Sequence, residues 1–136
     1  MKHPGNTSYF THKRNRELKR AFRQVLSHKK YFNIKKDFEL VVNMPCSRFW
    51  VSEERATAVI SSMLRGRPIL DTMRPTKREM FLEIFRRVEE KQKEFPDMPL
   101  CDIVFFVVNS PAPKFYMKPK HASDTMYKIK RGHFKK

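Results

Sequence analysis

Between residues 11 and 28 the apolar positions Leu18, Ala21, Phe22, Val25 and Leu26 recur at helical spacing and fall within an arc of about 140°. The spacing predicts an amphipathic helix whose opposite side carries Lys13, Arg16, Lys19, Arg20 and Arg23. Phe38, Leu40 and Val42 alternate with Glu39, Val41 and Asn43, the period of a short strand over 38–43 that Pro45 ends. Ser52 then precedes two acids and the set Ala56, Val59, Ile60, Met63 and Leu64, with Gly66 and Pro68 behind it. An N-cap, a dipole-compatible first turn and a glycine stop predict a helix over 53–65. Thr76 and Glu79 have the spacing of a capping box, with Pro75 and Met80 as its hydrophobic staple, and Phe81, Ile84, Phe85 and Val88 follow as a stripe. They predict a helix over 76–94. Beyond Pro96 and Pro99, the run Ile103 to Val108 is β-branched and aromatic, and is expected as a strand over 101–108 covered on both faces.

These elements give an α+β fold dominated by helix, with three helices packed on a small two-strand element. Residues 1–11 are rich in turn formers and read as a flexible arm, and residues 12–117 form the single domain. Residues 118–136 lack a sustained period and read as a basic tail, disordered on its own. No internal repeat stands out at solenoid length. The longest apolar run is six residues, which excludes a bilayer-spanning helix, and no secretory signal pattern is visible; the expected location is the cytoplasm. Two cysteines, Cys46 and Cys101, suit a reducing compartment.

Charge changes the picture more than composition does. The 136 residues carry 30 Lys and Arg against 14 Asp and Glu, a formal net charge of +16. Residues 1–36 hold eleven of the basic residues against Glu17 alone, residues 37–117 hold twelve of each sign, and residues 118–136 hold seven against Asp124. A neutral middle is flanked by two basic ends, which repel each other unless an anion lies between or beside them. The side chains expected to meet nucleic-acid phosphates are Lys13, Arg16, Lys19, Arg20 and Arg23, with Lys118, Lys120, Lys128, Lys130 and Arg131. Tyr9, Phe10, Tyr116, Tyr127 and Phe134 stand among the basic residues, where aromatic rings stack on unpaired bases.

Other chemistries find less support. The two capped helices are separated by about ten residues, where a helix-turn-helix uses three or four. No Cys-x-x-Cys or His-x-x-x-His spacing supports a metal site. The three glycines are isolated, so no Gly-rich phosphate loop can form, and the Glu89-Glu90-Lys91 run falls on an exposed helix face rather than a strand. The chain therefore reads as non-enzymatic, with no cofactor. Arg48 and the single tryptophan, Trp50, precede a helix start; they read as an anchor for it or as a contact for a partner protein.

The stretch from Cys46 to Ala56 and the stretch Pro111 to Tyr116 resemble small basic proteins of gut bacteria and their phages. The resemblance covers the neutral middle, brings no activity with it, and implies a phage or mobile-element setting. The function expected from the residues is nucleic-acid binding of low sequence specificity, because no base-reading constellation accompanies the phosphate contacts. The rival expectation is an interaction or assembly module whose basic ends meet an acidic protein.

Overall fold

The computed structural model describes residues 8–28 and 31–132. The described residues form six α-helices and no strand. They are α1 (Ser8–Leu26), α2 (Ile34–Val42), α3 (Glu53–Leu64), α4 (Pro75–Glu94), α5 (Leu100–Val108) and α6 (Pro119–Lys130), with a 3-10 turn at Ile69–Thr72. The α+β expectation is thereby overturned. Both predicted strands are helices: α2 buries Phe38, Val41 and Val42 while Glu39 and Leu40 face out, and α5 buries Ile103, Val104, Val107 and Val108 while Phe105 and Phe106 face out. Burial at i, i+1, i+4 and i+5 is a helical stripe. The tertiary setting outweighs the strand propensity of valine and phenylalanine, since each segment packs between two other helices and satisfies its own backbone.

The helix ends follow local chemistry. Asn33 caps α2, accepting from the Lys36 N–H at 2.9 Å while its own N–H donates to Asp37 at 2.8 Å. Ser52 caps α3 by accepting from the Arg55 N–H at 3.0 Å, as the sequence predicts. Gly66, at φ 78°, closes α3: its N–H donates to Met63 and that of Arg67 to Ser62, a Schellman stop. The capping box expected at Thr76 does not form, because α4 starts with Pro75 at its first position and Arg74 as an N-cap without a side-chain bond.

The helices assemble as two bundles of three, α1 with α2 and α6, and α4 with α5 and α3. The pattern repeats with a shift of 66 residues. α2 plus 66 is α5, α3 plus 66 is α6, and α1 plus 66 falls on α4 to within two residues. Buried positions repeat with the same shift, as in Leu18 and Ile84, Val41 and Val107, Phe49 and Phe115, and Ala56 and Ala122. So do details of the backbone. Asn43 and Asn109 end α2 and α5 with nearly the same dihedrals, and each donates its side-chain amide to the carbonyl four residues earlier, at 2.8 and 2.9 Å. Gly66 and Gly132 follow α3 and α6 at φ 78° and 80°.

The two 66-residue units are related by an approximate twofold and exchange their third helices, so that α3 packs on α5 and α6 on α2. The crossing segments meet at an antiparallel bridge between Cys46 and Ala112. Around it Phe49 donates its N–H to Val108 at 3.0 Å and Phe115 to Val42 at 2.9 Å. Phe49 stacks on Tyr116 at 5.9 Å, and Trp50 on Phe115 at 6.3 Å. The core runs through this crossing, which joins the apolar faces of both bundles.

Residues expected to lie outside the domain belong to it. Residues 119–130 are helical as α6 and bury Ala122, Thr125 and Met126 against the first bundle. Residues 8–11 of the expected arm are the first turn of α1. The remainder of that arm, residues 1–7, and the end of the tail, residues 133–136, lie outside the described residues.

Candidate nucleic-acid interface

The apolar side of α1 is held by Leu18 and Ala21 in the core, which turns Lys13, Arg16, Lys19, Arg20 and Arg23 to solvent. α6 lies against the same helix, so the two basic segments that are distant in sequence share one bundle. Arg16 and Lys19 line a cleft of about 340 Å³ together with Lys130 at the end of α6. Lys118, Lys120 and Lys128 line a second cleft of about 710 Å³ on the other side of α6. Arg131 is exposed, its guanidinium lying over the Tyr127 ring at 5.4 Å and donating to the tyrosine hydroxyl at 3.0 Å.

Arg48 and Trp50 are in the core and do not form a partner surface. Arg48 is 5% exposed, donates to the Phe49 and Val51 carbonyls at 2.9 and 2.6 Å, and lies 3.8 Å from Glu53 and over the ring of Phe10. Trp50 is 8% exposed, and its ring stacks on Phe115 and lies 6.0 Å from that of Phe10. Phe10, expected among the base-stacking rings, is 3% exposed beneath Arg48 and unavailable to a base. Tyr116 is partly buried, stacked on Phe49 and with the Lys114 ammonium 5.6 Å from its ring centre, and Tyr127 is exposed beneath Arg131; the Tyr9 side chain and Phe134 lie outside the described residues.

The larger cleft gathers residues that the sequence reading did not single out. Arg14 enters it from α1, Arg74 and Lys77 from the start of α4, and His121 from α6. Arg14 donates twice to the side-chain amide oxygen of Asn15, at 3.2 and 3.0 Å, and burial lowers its pKa. Burial, aided by Arg14, Lys128 and Lys77 and opposed by Asp124, lowers that of His121. Burial pushes the Tyr116 hydroxyl up to about 12, aided by Glu83 and Glu79. These residues come from three helices, so only the cleft that they line together shows that they belong to one place.

The internal twofold provides a built-in comparison. The first bundle has six basic residues against Glu17 on α1, two of each sign on α2, and three basic residues against Asp124 on α6, a net charge of +7. The second has one basic residue against two acids on α3, six against five on α4, and Asp102 alone on α5, a net charge of −1. At equivalent positions Lys13 faces Glu79, Arg16 Leu82, Lys19 Phe85 and Arg23 Glu89; Lys118 faces Ser52, Lys120 Glu54, Lys128 Ser62 and Lys130 Leu64. Only Arg20 and Arg131 meet another basic residue, Arg86 and Arg65. The same scaffold thus accepts acids and neutral residues there, so the cations on α1 and α6 are not a requirement of the fold.

Pairing differs in the same direction. On α4, Arg86 and Arg87 share Glu83, Arg86 also reaches Glu90, and Lys91 reaches Glu94. The five outward cations of α1 have no carboxylate within ion-pair distance among the described residues. Glu17, the one acid of α1, is taken up by the backbone N–H and hydroxyl of Ser47.

No helix among the described residues is long and apolar enough to cross a membrane, and no group of three or more metal-binding side chains occurs there. Comparison of the chain with protein families, with curated proteins and with solved structures finds no match.

Proposed function

We propose that the protein is a non-enzymatic nucleic-acid-binding protein of low sequence specificity, which meets phosphates through the outer face of α1 and through α6. The observation that carries this reading is the +7 bundle on a scaffold whose equivalent bundle is −1. Unpaired cations on one side of a small protein raise its energy through mutual repulsion, and a polyanion relieves it. The exposed faces of α1 and α6 offer Lys and Arg to phosphates without a set of side chains aimed at base edges, which makes contact with the backbone the main source of affinity.

The test is binding of the full chain to duplex DNA, single-stranded DNA and structured RNA at two salt concentrations, beside the triple variant Arg16→Glu, Arg20→Glu, Arg23→Glu. Affinity is expected to fall steeply with salt and to be lost in the variant, whose circular dichroism stays native because all three positions are exposed. Unchanged affinity in the triple variant removes the α1 face from the proposal. Binding of no nucleic acid at low salt removes the function, and leaves an acidic protein as the partner of the same bundle.

A further inference from the structure

The 710 Å³ cleft beside α6 has the size of a small-ligand site and an unusual wall. Five of its side chains, Arg14, Arg74, Lys77, Lys118 and Lys128, are cationic and have no carboxylate within ion-pair distance among the described residues. Its single acid, Asp124, is already paired with Lys120 at 3.3 Å. The cations come from α1 (Arg14), the start of α4 (Arg74 and Lys77) and the two ends of α6 (Lys118 and Lys128), so they are brought together by tertiary packing and not by a basic run in the sequence. In the equivalent half, Ser52 and Ser62 replace Lys118 and Lys128, so the charge belongs to this cleft and not to the shared framework. The half-buried ring of Tyr116 forms part of the same wall, an apolar surface beside the cations.

We infer that this cleft binds a phosphomonoester, the terminal phosphate of a nucleic-acid strand or of a free nucleotide. A phosphomonoester carries a charge of about −1.5 to −2 at neutral pH and three acceptor oxygens, against a single charge on an internal phosphodiester. It is the better match for a concave site with five unpaired cations, while the open face of α1 suits internal phosphates. Tyr116, Phe115 and Met117 line the same cleft and give the attached nucleoside an apolar wall. For a strand end the inference rests on the nucleic-acid reading above; for a free nucleotide it stands alone.

The experiment uses the full chain and three probes: a short single strand with a 5′-phosphate, the same strand with hydroxyl ends, and adenosine monophosphate followed through Trp50, the single tryptophan and a wall of the cleft. The variant is Arg74→Gln with Lys77→Gln, two exposed residues at the start of α4, outside the α1 face. The phosphorylated strand is expected to bind about fivefold tighter than the hydroxyl-ended one, and the variant to lose that preference while holding its affinity for the hydroxyl-ended strand. The mononucleotide is expected to shift Trp50 emission in the parent and not in the variant. Equal binding of both strands with a mononucleotide response identifies a free nucleotide as the ligand and supports the site. Equal binding with no response overturns it and leaves the nucleic-acid reading intact. No strand binding with a mononucleotide response overturns that reading and keeps the site. A preference or response that survives in the variant overturns the assignment to this cleft.

Discussion

Cys46 and Ala112 stand 66 residues apart in the chain and opposite each other in space, each donating its backbone N–H to the other's carbonyl, at 3.0 and 2.9 Å. They are equivalent residues of the two units, and both are buried where the crossing segments touch. A side chain larger than alanine at 112 has to displace its neighbours at the crossing that joins the two bundles. Ala112→Leu is expected to destabilise the protein by about 1–3 kcal/mol through overpacking, and to do so in a single urea transition. Separate transitions for the two bundles would show that the crossing does not couple them.

Leu18 and Ile84 are fully buried at equivalent positions of α1 and α4. Truncation of either to alanine leaves a cavity that the surrounding helices fill only in part. Each is expected to cost about 2–5 kcal/mol in denaturant unfolding. A much smaller loss at one of them would mark its bundle as loosely packed.

Gly66 ends α3 at φ 78°, with open space around the position of a Cβ. Gly66→Ala meets no neighbour, so its cost is the left-handed backbone alone, about 1–2 kcal/mol. A thermal melt of the variant checks this, and Gly66→Asn is expected to recover part of the loss, since asparagine tolerates that conformation.

The two thiols differ sharply in surroundings. Burial pushes the Cys46 thiol up to about 12, against smaller opposing effects of Trp50 and the Arg48 backbone, while Cys101 lies exposed at the start of α5. The native chain is expected to react with a thiol reagent at Cys101 alone, and Cys46 to join only on unfolding. Prompt modification of both in buffer would contradict the burial of the crossing.

Acid is expected to weaken the fold in two steps. The pKa of His121 is lowered by burial and by Arg14, Lys128 and Lys77, so the unfolded chain takes up this proton first, and stability falls as the pH drops below about 6.5. The pKa of Glu83 is lowered, chiefly by its hydrogen bond to Arg86 and also by Arg87, so its contribution is present above the usual carboxylate range and is lost as the pH falls through its folded value. His121→Gln removes the first step, and Glu83→Gln the second, in a series of urea midpoints. An unchanged pH profile in either variant would assign that step elsewhere.

Helices with a polar outer face and explicit ends were legible in the sequence: Ser52, Gly66 and the stripes of α3 and α4 appear where the spacing puts them, except that Leu64 at the end of the α3 stripe is exposed. α2 and α5 were not, because a short apolar segment of β-branched residues fits a strand and a buried helix equally well. Val41 and Val42 are adjacent and both buried, which alternation cannot accommodate. α6 was concealed by its lysines, since its inward side is only Ala122, Thr125, Met126 and the partly buried Ile129. The cations of α1 and α6 could be named singly, but the neighbourhood of Lys118 and Lys128 with Arg14, Arg74 and Lys77 is a product of packing. The duplication left a readable trace in Val41-Val42-Asn43 with Pro45 and Phe49, against Val107-Val108-Asn109 with Pro111 and Phe115. Its period of 66 residues exceeds the repeat length of solenoids, and few identical residues mark it.

The exchange of third helices governs how the chain comes off the ribosome. When synthesis has passed Gly66, α1 and α2 are present without α6 to cover them, and α3 without α5. The second bundle can close once α5 has emerged, but the first cannot close until α6 has, so the nascent chain holds the apolar faces of α1 and α2 open for nearly the whole of translation. A chain cut short between Gly66 and α5 therefore has neither bundle complete, and one cut short between α5 and α6 leaves α1 and α2 uncovered, an unfinished surface that invites chaperones or proteolysis.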